Sequence, residues 1–208
     1  MSELWKIFSK GLILENPVFV LALSLCPALA VTSSVATALT MGLTVTFVIT
    51  CNNVVVSLTK KFVNPKVRVP IYIISIATIV SVAGFVLEAY FPLLYKELGI
   101  YLELVVVFAI IMARAEVFAS KNNVGRSFLD GLGMGIGFLS ALVLIGAIRE
   151  LIGNGTLLGF VVLGEAYSPA LIMILPPGAY ILIGYLVALY KIMIERMEKR
   201  QKMRGEAA

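Results

Sequence analysis

The sequence predicts an all-α membrane protein: six transmembrane segments forming two inverted three-helix repeats, with the first and fourth helices broken into half-helices. Three observations carry this. Hydrophobic residues make up 60% of the 208 and charged residues only 14%, with a mean hydropathy of +1.00. That leaves too little polar surface for a soluble domain of this size. Six apolar stretches lie at roughly 17–33, 37–59, 69–90, 98–113, 130–150 and 169–192. With a cytoplasmic N-terminus, 15 of the 17 basic residues fall on the cytoplasmic side, Lys96 and Arg149 being the exceptions. Loops that retain lysine and arginine face the cytoplasm.

The N-terminus is no clean signal peptide, because Glu3, Lys6, Lys10 and Glu15 interrupt it. Segment one is short and carries Ser24-Leu25-Cys26-Pro27. A proline inside a helix removes a hydrogen bond and clashes with the preceding turn, so this segment is expected to break there. Segment two, Thr37 to Thr59, has no charge, and segment three opens at Pro70, a residue suited to a first helical turn. Segment four contains Glu103 and stops at Arg114, leaving an uncharged stretch of ten residues from Leu104 to Ala113. A membrane helix needs about 20 apolar residues, so segment four is also expected to be interrupted. Segment five is rich in glycine. Segment six, with Pro176 and Pro177 near its start, runs into a basic tail.

The halves echo each other. Ala38-Leu39-Thr40-Met41-Gly42-Leu43 resembles Gly131-Leu132-Gly133-Met134-Gly135-Ile136, and Pro70-Ile71-Tyr72 matches Pro177 with Tyr180. Three spans per half is an odd number, so the halves are inverted. The chain reads as one polytopic membrane domain over 1–208, with repeats over about 12–95 and 98–193 and a cytoplasmic tail over 194–208. Broken helices at matching positions of an inverted repeat mark a functional site near the bilayer midplane, because lipid cannot satisfy irregular backbone. A proline kink that merely packs is the plainer reading.

There is no histidine, so His-ligated zinc, haem ligation by histidine and a His general base are excluded. The two cysteines, Cys26 and Cys51, are too few for a disulfide framework. Cys26, at a helix break, suits iron or copper ligation, or else packs as a small apolar residue. Cys51 is expected to pack. Its neighbours Asn52 and Asn53 are expected to hydrogen-bond to an adjacent helix or to line a wet cavity. Of the carboxylates near spans, Asp130 is placed to cap segment five, Glu88 and Glu150 lie near outer helix ends, and Glu103 is embedded. The glycines at 131, 133, 135 and 137 have no βαβ context for a dinucleotide site and instead allow close helix approach. Gly153-Asn154-Gly155-Thr156 reads as an outer turn. The net charge of +5 sits in loops and tail, which is a topology signal rather than a sign of nucleic-acid binding.

Several motifs in order resemble the family of paired Rnf and Nqr membrane subunits (RnfA/RnfE and NqrD/NqrE). They are Leu25-Cys26-Pro27-Ala28-Leu29-Ala30-Val31-Thr32, Arg114-Ala115-Glu116-Val117-Phe118-Ala119, Leu129-Asp130-Gly131-Leu132-Gly133-Met134-Gly135, and Arg149-Glu150-Leu151-Ile152-Gly153-Asn154-Gly155-Thr156-Leu157. The resemblance covers the chain from about Asn16 to the tail. The Gly-Asn-Gly-Thr run, Leu175-Pro176-Pro177-Gly178-Ala179 and the basic tail look most like the RnfE-type members of the Rnf complex, with the NqrD type next.

The resemblance implies a multi-pass protein of the bacterial cell (inner) membrane with both termini cytoplasmic. It implies a component of a redox-driven ion pump, an ion-translocating oxidoreductase and translocase. Such a pump couples electron transport between ferredoxin and NAD to Na⁺ or H⁺ transport, and this component by itself has no complete active site. It further implies a 2Fe-2S iron–sulfur cluster shared with the homologous RnfA-type protein, the closest partner, alongside the other Rnf components of types B, C, D and G. Cys26 matches the first ligand position of that cluster. At the second position the family has a cysteine shortly before Arg-Ala-Glu. Here Ala109 stands there, and it cannot bind iron. The same broken inverted repeat also suits a secondary transporter or channel without redox chemistry, and a structural scaffold is a third reading.

Overall fold

The computed structural model describes residues 11, 15–61, 63–64, 67–157, 160–161 and 171–206, with side chains as far as Met197. Lys6, Lys10 and Lys66, the opening residues 169–170 of segment six, and the basic side chains of the tail beyond Met197 lie outside what is described. The elements are α1 (Leu25–Ala30), α2 (Val35–Thr59), α3 (Arg68–Tyr90), α4 (Pro92–Glu103), α5 (Ala109–Arg114), α6 (Val124–Asn154), α7 (Leu171–Ile174) and α8 (Pro176–Glu206). A 3₁₀ turn (Leu104–Val107) joins α4 to α5, and a π turn (Ala115–Ala119) follows α5. Thr156–Leu157 and Phe160–Val161 form a two-residue antiparallel pair, β1 and β2.

Five helical stretches are long and apolar enough to cross a membrane: Val35–Thr59, Arg68–Tyr90, Pro92–Ala119, Val124–Asn154 and Pro176–Met197. They correspond to segments two to six. The first segment differs, having only the six-residue α1. Pro27 lies in the first turn of α1, where its missing N–H would have had no partner anyway. Its ring forbids a helical turn upstream, so α1 cannot begin earlier. The break itself falls before α1, where Ala22 (φ 51) and Ser24 (φ 62) are left-handed. The fourth segment is interrupted as expected: Phe108 is extended (φ −65, ψ 122) between the 3₁₀ turn and α5. Pro70 lies in the first turn of α3. α8 continues without interruption to Glu206, so the basic tail prolongs segment six as helix.

The core is built on the antiparallel packing of α2 against α6. Glycines lie where the two backbones meet. A Cβ on Gly131 would stand 2.8 Å from the Cα of Thr50, and one on Gly135 2.8 Å from the Cα of Thr46. Towards the other end, a Cβ on Gly146 would stand 3.2 Å from the Cβ of Ala38. Five threonines of α2 (Thr40, Thr44, Thr46, Thr50 and Thr59) donate to carbonyls four residues back, which hides their hydroxyls from lipid. Met41, Val45, Val48 and Ile49 of α2 pack with Met134, Phe138, Leu142 and Ile145 of α6 in one buried cluster.

Gly11 and residues 15–34 lie beside α6. Gly11 lies against the Gly133–Met134 peptide, and a Cβ there would stand 3.0 Å from it. Asn16 Nδ2 donates to the Gly137 carbonyl (3.2 Å), and Thr32 reaches Arg149. Both sequence numbers rise together, so this irregular stretch follows α6 in the same direction.

Gly135→Val is expected to destabilise the protein by about 1–3 kcal/mol, because its branched side chain meets the α2 backbone. Gly99→Ala, where nothing lies within 4 Å, should leave stability within about 0.5 kcal/mol of wild type. Thermal unfolding in detergent, followed by intrinsic fluorescence, checks both.

Candidate functional site

The two breaks meet. Left-handed Ser24 ends the irregular stretch and starts α1, and its Oγ accepts from the Ile110 N–H (3.4 Å) in the first turn of α5. Around this junction is a cavity of about 370 Å³, lined by Ser24, Cys26, Pro27 and Ala30 from the first segment and by Tyr101, Leu104, Val107, Phe108 and Ala109 from the fourth. Its walls are almost wholly apolar. Cys26 is an exposed free thiol at its edge, and Ala109 is exposed across from it. The structure therefore brings both positions of interest to one cavity. Cys51 is half-buried on α2 and does not line it. Among the described residues no group of three or more His, Cys, Asp or Glu side chains could hold a metal ion. Tyr101, Leu104 and Val107 continue the cavity onto an exposed apolar surface.

Behind α1 is a buried cation that the sequence reading passed over. Arg149 of α6 is 2% exposed. It donates to the Leu29 carbonyl (3.0 Å) and Thr32 Oγ1 (2.6 Å) on one side, and to the carbonyls of Met173 (3.1 Å) and Ile174 (2.7 Å) on the other. The local sequence supplies these acceptors. α1 ends at Ala30, which frees its last carbonyls. Pro177 has no N–H to offer the Met173 carbonyl four residues back, so that carbonyl turns to the guanidinium. Gly178 lets the chain fold this tightly, since a Cβ there would stand 2.8 Å from the Cα of Met173. Next to Arg149, Glu150 is buried too and accepts from the Val35 N–H (2.7 Å) at the start of α2 and from Thr156 Oγ1 (3.3 Å). The signal that could have found Arg149 was its place outside the cytoplasmic set of basic residues.

A second polar knot lies at the opposite end of the bundle. Arg114, ending α5, makes a two-pronged ion pair with Asp130 and a further one with Glu15 (3.3 Å), and its guanidinium stands 5.2 Å over the Phe118 ring. Asp130 does not cap α6, as the sequence led one to expect. The helix begins two turns earlier, after Asn123, and Asp130 is buried at 2% exposure as the counter-charge of Arg114. Arg68 and Glu116 approach to 3.9 Å nearby. Asn52 and Asn53 bond to neighbouring helices as expected: Asn52 accepts from Ser75 (3.2 Å), and Asn53 donates to the Ser127 carbonyl (3.4 Å). Glu103 and Glu88 both lie on the surface of the helices, Glu103 within the stretch Pro92–Ala119 that is long and apolar enough to cross a membrane. Gly153 still belongs to α6, and left-handed Gly155 (φ 70) closes it.

Against this geometry stand the comparisons with known proteins. Residues 4–187 match the family model described as Rnf-Nqr subunit, membrane protein. The E component of the proton-translocating ferredoxin:NAD(+) oxidoreductase complex of Clostridium ljungdahlii is 65% identical over the whole chain and 98% of its own length. Its counterpart in the Na(+)-translocating ferredoxin:NAD(+) oxidoreductase complex of Acetobacterium woodii is 45% identical over 88% of this chain and 94% of its own. The E component of the ion-translocating oxidoreductase complex of Thioalkalivibrio sulfidiphilus is 42% identical over 90% of this chain and 88% of its own.

Asp130→Asn leaves the half-buried Arg114 guanidinium without its main counter-charge and is expected to cost about 3 kcal/mol. Glu15→Gln, whose carboxylate is more exposed, should cost less than about 1 kcal/mol. Chemical denaturation of the purified protein measures both.

Proposed function

This chain belongs to the Rnf-Nqr family of membrane subunits, and on that premise we propose that it is a membrane component of an ion-translocating ferredoxin:NAD(+) oxidoreductase complex. The observation that carries the proposal is 65% identity, end to end, with a relative named as such a component. The 65% relative is named for protons and the 45% relative for Na⁺. The chain works as part of that enzyme and has no complete active site of its own.

In this reading the bilayer holds six crossings, not five. The sixth is the stretch that holds Gly11 and residues 15–34. From its contact at Gly133 to its contact at Arg149 it follows sixteen residues of α6, about 24 Å at 1.5 Å per residue, most of the ~30 Å hydrocarbon core. That stretch, α2 and α3 form one repeat. The α4–α5 stretch, α6 and α8 form the inverted other. The polar knot at Arg114 and the basic ends of α2 and α8 face the cytoplasm, and the Arg149 cluster faces outward.

Cys26 fits a metal centre as a single ligand. It is an exposed thiol on an apolar rim where another protein can complete the set, and Ala109 contributes only a methyl group. A 2Fe-2S cluster needs four ligands, so the others come from a partner, the homologous RnfA-type protein. When bound, such a cluster passes one electron at a time. This chain's residues do the rest. Cys26 presents its sulfur from the first turn of α1. Ser24 ties α1 to α5. Leu104, Val107 and Phe108 line the apolar cavity beside the sulfur.

Cys26→Ser is expected to abolish the iron–sulfur EPR signal of the intact complex and lower its iron content, while Cys51→Ser leaves both unchanged. Wild-type iron and signal in the Cys26 variant would overturn the assignment. A fluorescent protein fused after Ala208 should fluoresce, as it does only in the cytoplasm; a dark, translocated fusion reverses the topology.

A further inference from the structure

We propose that the groove between α3 and α4 is the docking site for a transmembrane helix of another protein of the complex, one that sets a lysine or arginine against Glu103. The proposal rests on the reading of this chain as a component of a multi-protein membrane complex. Glu103 is the sole charged residue between Glu97 and Arg114. It lies within the stretch Pro92–Ala119 that is long and apolar enough to cross a membrane, about 9 Å of helix deeper than Glu97. Its side chain is exposed on the outside of the bundle. Among the described residues it makes no ion pair and no hydrogen bond. Lys96, the nearest cation in sequence, is two turns away, about 10.5 Å along the helix. A carboxylate at this depth is too costly to leave facing hydrocarbon, and such groups turn to a partner of opposite charge.

The surface beside Glu103 favours a helix as the source of that charge. A cavity of about 270 Å³ lies between α3 and the fourth segment there. None of its lining residues lines the Cys26 cavity, so this is a separate face. On its α3 wall Ala77, Ser81 and Gly84 recur at helical spacing, and small residues let a further helix backbone come close. Phe85, 70% exposed, stands at its lip. A free metal cation would need several oxygens to replace its water. The groove offers few. Ser81 donates its hydroxyl to the Ala77 carbonyl (3.0 Å), which leaves Glu103 and Tyr95 as the other polar side chains of the lining. A lipid amine stays at the headgroup level, above Glu103. A transmembrane helix meets both requirements, laying its backbone against the small residues and its basic side chain against the carboxylate. Such a charge pair fixes which helix docks and in what register.

The test is photocrosslinking in native membranes that hold the intact complex. p-Benzoylphenylalanine at Phe85 keeps the ring. On illumination it should join this chain to a transmembrane segment of another protein, with a lysine or arginine within about two helical turns of the joined residue, read by mass spectrometry. Glu103→Leu suits lipid, so the chain should accumulate and unfold as wild type does, yet the yield of that adduct should fall about tenfold or more. If Glu103→Leu fails to accumulate, Glu103→Gln, which keeps the shape, decides the same point. Adducts to lipid only, or to a second copy of this chain, overturn the proposal. So does an undiminished adduct without the Glu103 charge, or a joined segment that has no basic residue. If this chain purifies with no other membrane protein, its reading as a component of a complex has failed, and this proposal with it. An intact complex in which the probe at Phe85 meets lipid alone overturns the docking site and leaves that reading standing.

Discussion

The close approach of α2 to α6 is the contact on which the other elements depend. In lipid there is little hydrophobic gain from bringing two apolar helices together, so backbone proximity and dispersion must hold them. Gly131 and Gly135 make that possible by bringing the α6 backbone against Thr50 and Thr46. The pair then acts as a rigid spine. Gly11 and residues 15–34 lie along one side of α6, and the interrupted fourth segment meets them at Ser24 and Ile110. Without the spine neither irregular stretch would have a surface on which to settle.

Irregular backbone in a membrane needs partners, and here side chains supply them. Asn16 bonds to the Gly137 carbonyl and also accepts from the amides of Val18 and Phe19. Ser24, Thr37, Glu150 and Arg149 serve other turns and helix ends in the same way. Each is polar, buried and directed at main chain. Such residues look like anomalies in a hydropathy profile. In the fold they let the chain stop being helical within the apolar interior and expose one cysteine beside a cavity.

Much of this was legible in the sequence, and the limits have physical reasons. Long apolar runs marked segments two, three, five and six, because length and apolarity are enough to define a span, whereas segment four offered only ten charge-free residues. Pro27 correctly marked a break, although the proline sits just after it; a proline signals which upstream turn is forbidden, not where the distortion falls. The glycines of α6 were read as a contact face, and they are one. Asp130 was misread as a cap, since a carboxylate near a helix start looks the same whether it bonds to amides or to a distant arginine. Arg149 was counted only as an exception in the charge balance. Its partners lie 117 to 120 residues upstream and 24 to 25 downstream, a separation that no local pattern reports. Cys26 stood out on its own, but its cavity needed Tyr101, Val107 and Ala109, which only the fold brings to it.

The position of Arg149 in the chain also has a consequence for how the protein is made. The ribosome delivers Leu29 and Thr32 long before Arg149, and Met173 and Ile174 only afterwards. When α6 enters the bilayer, its guanidinium can find half of its acceptors in the existing N-terminal stretch and must wait for the rest. The last helix therefore does more than add a span, because the turn leading into it completes the solvation of a buried charge. A chain truncated before residue 173 would leave Arg149 with only the acceptors at Leu29 and Thr32.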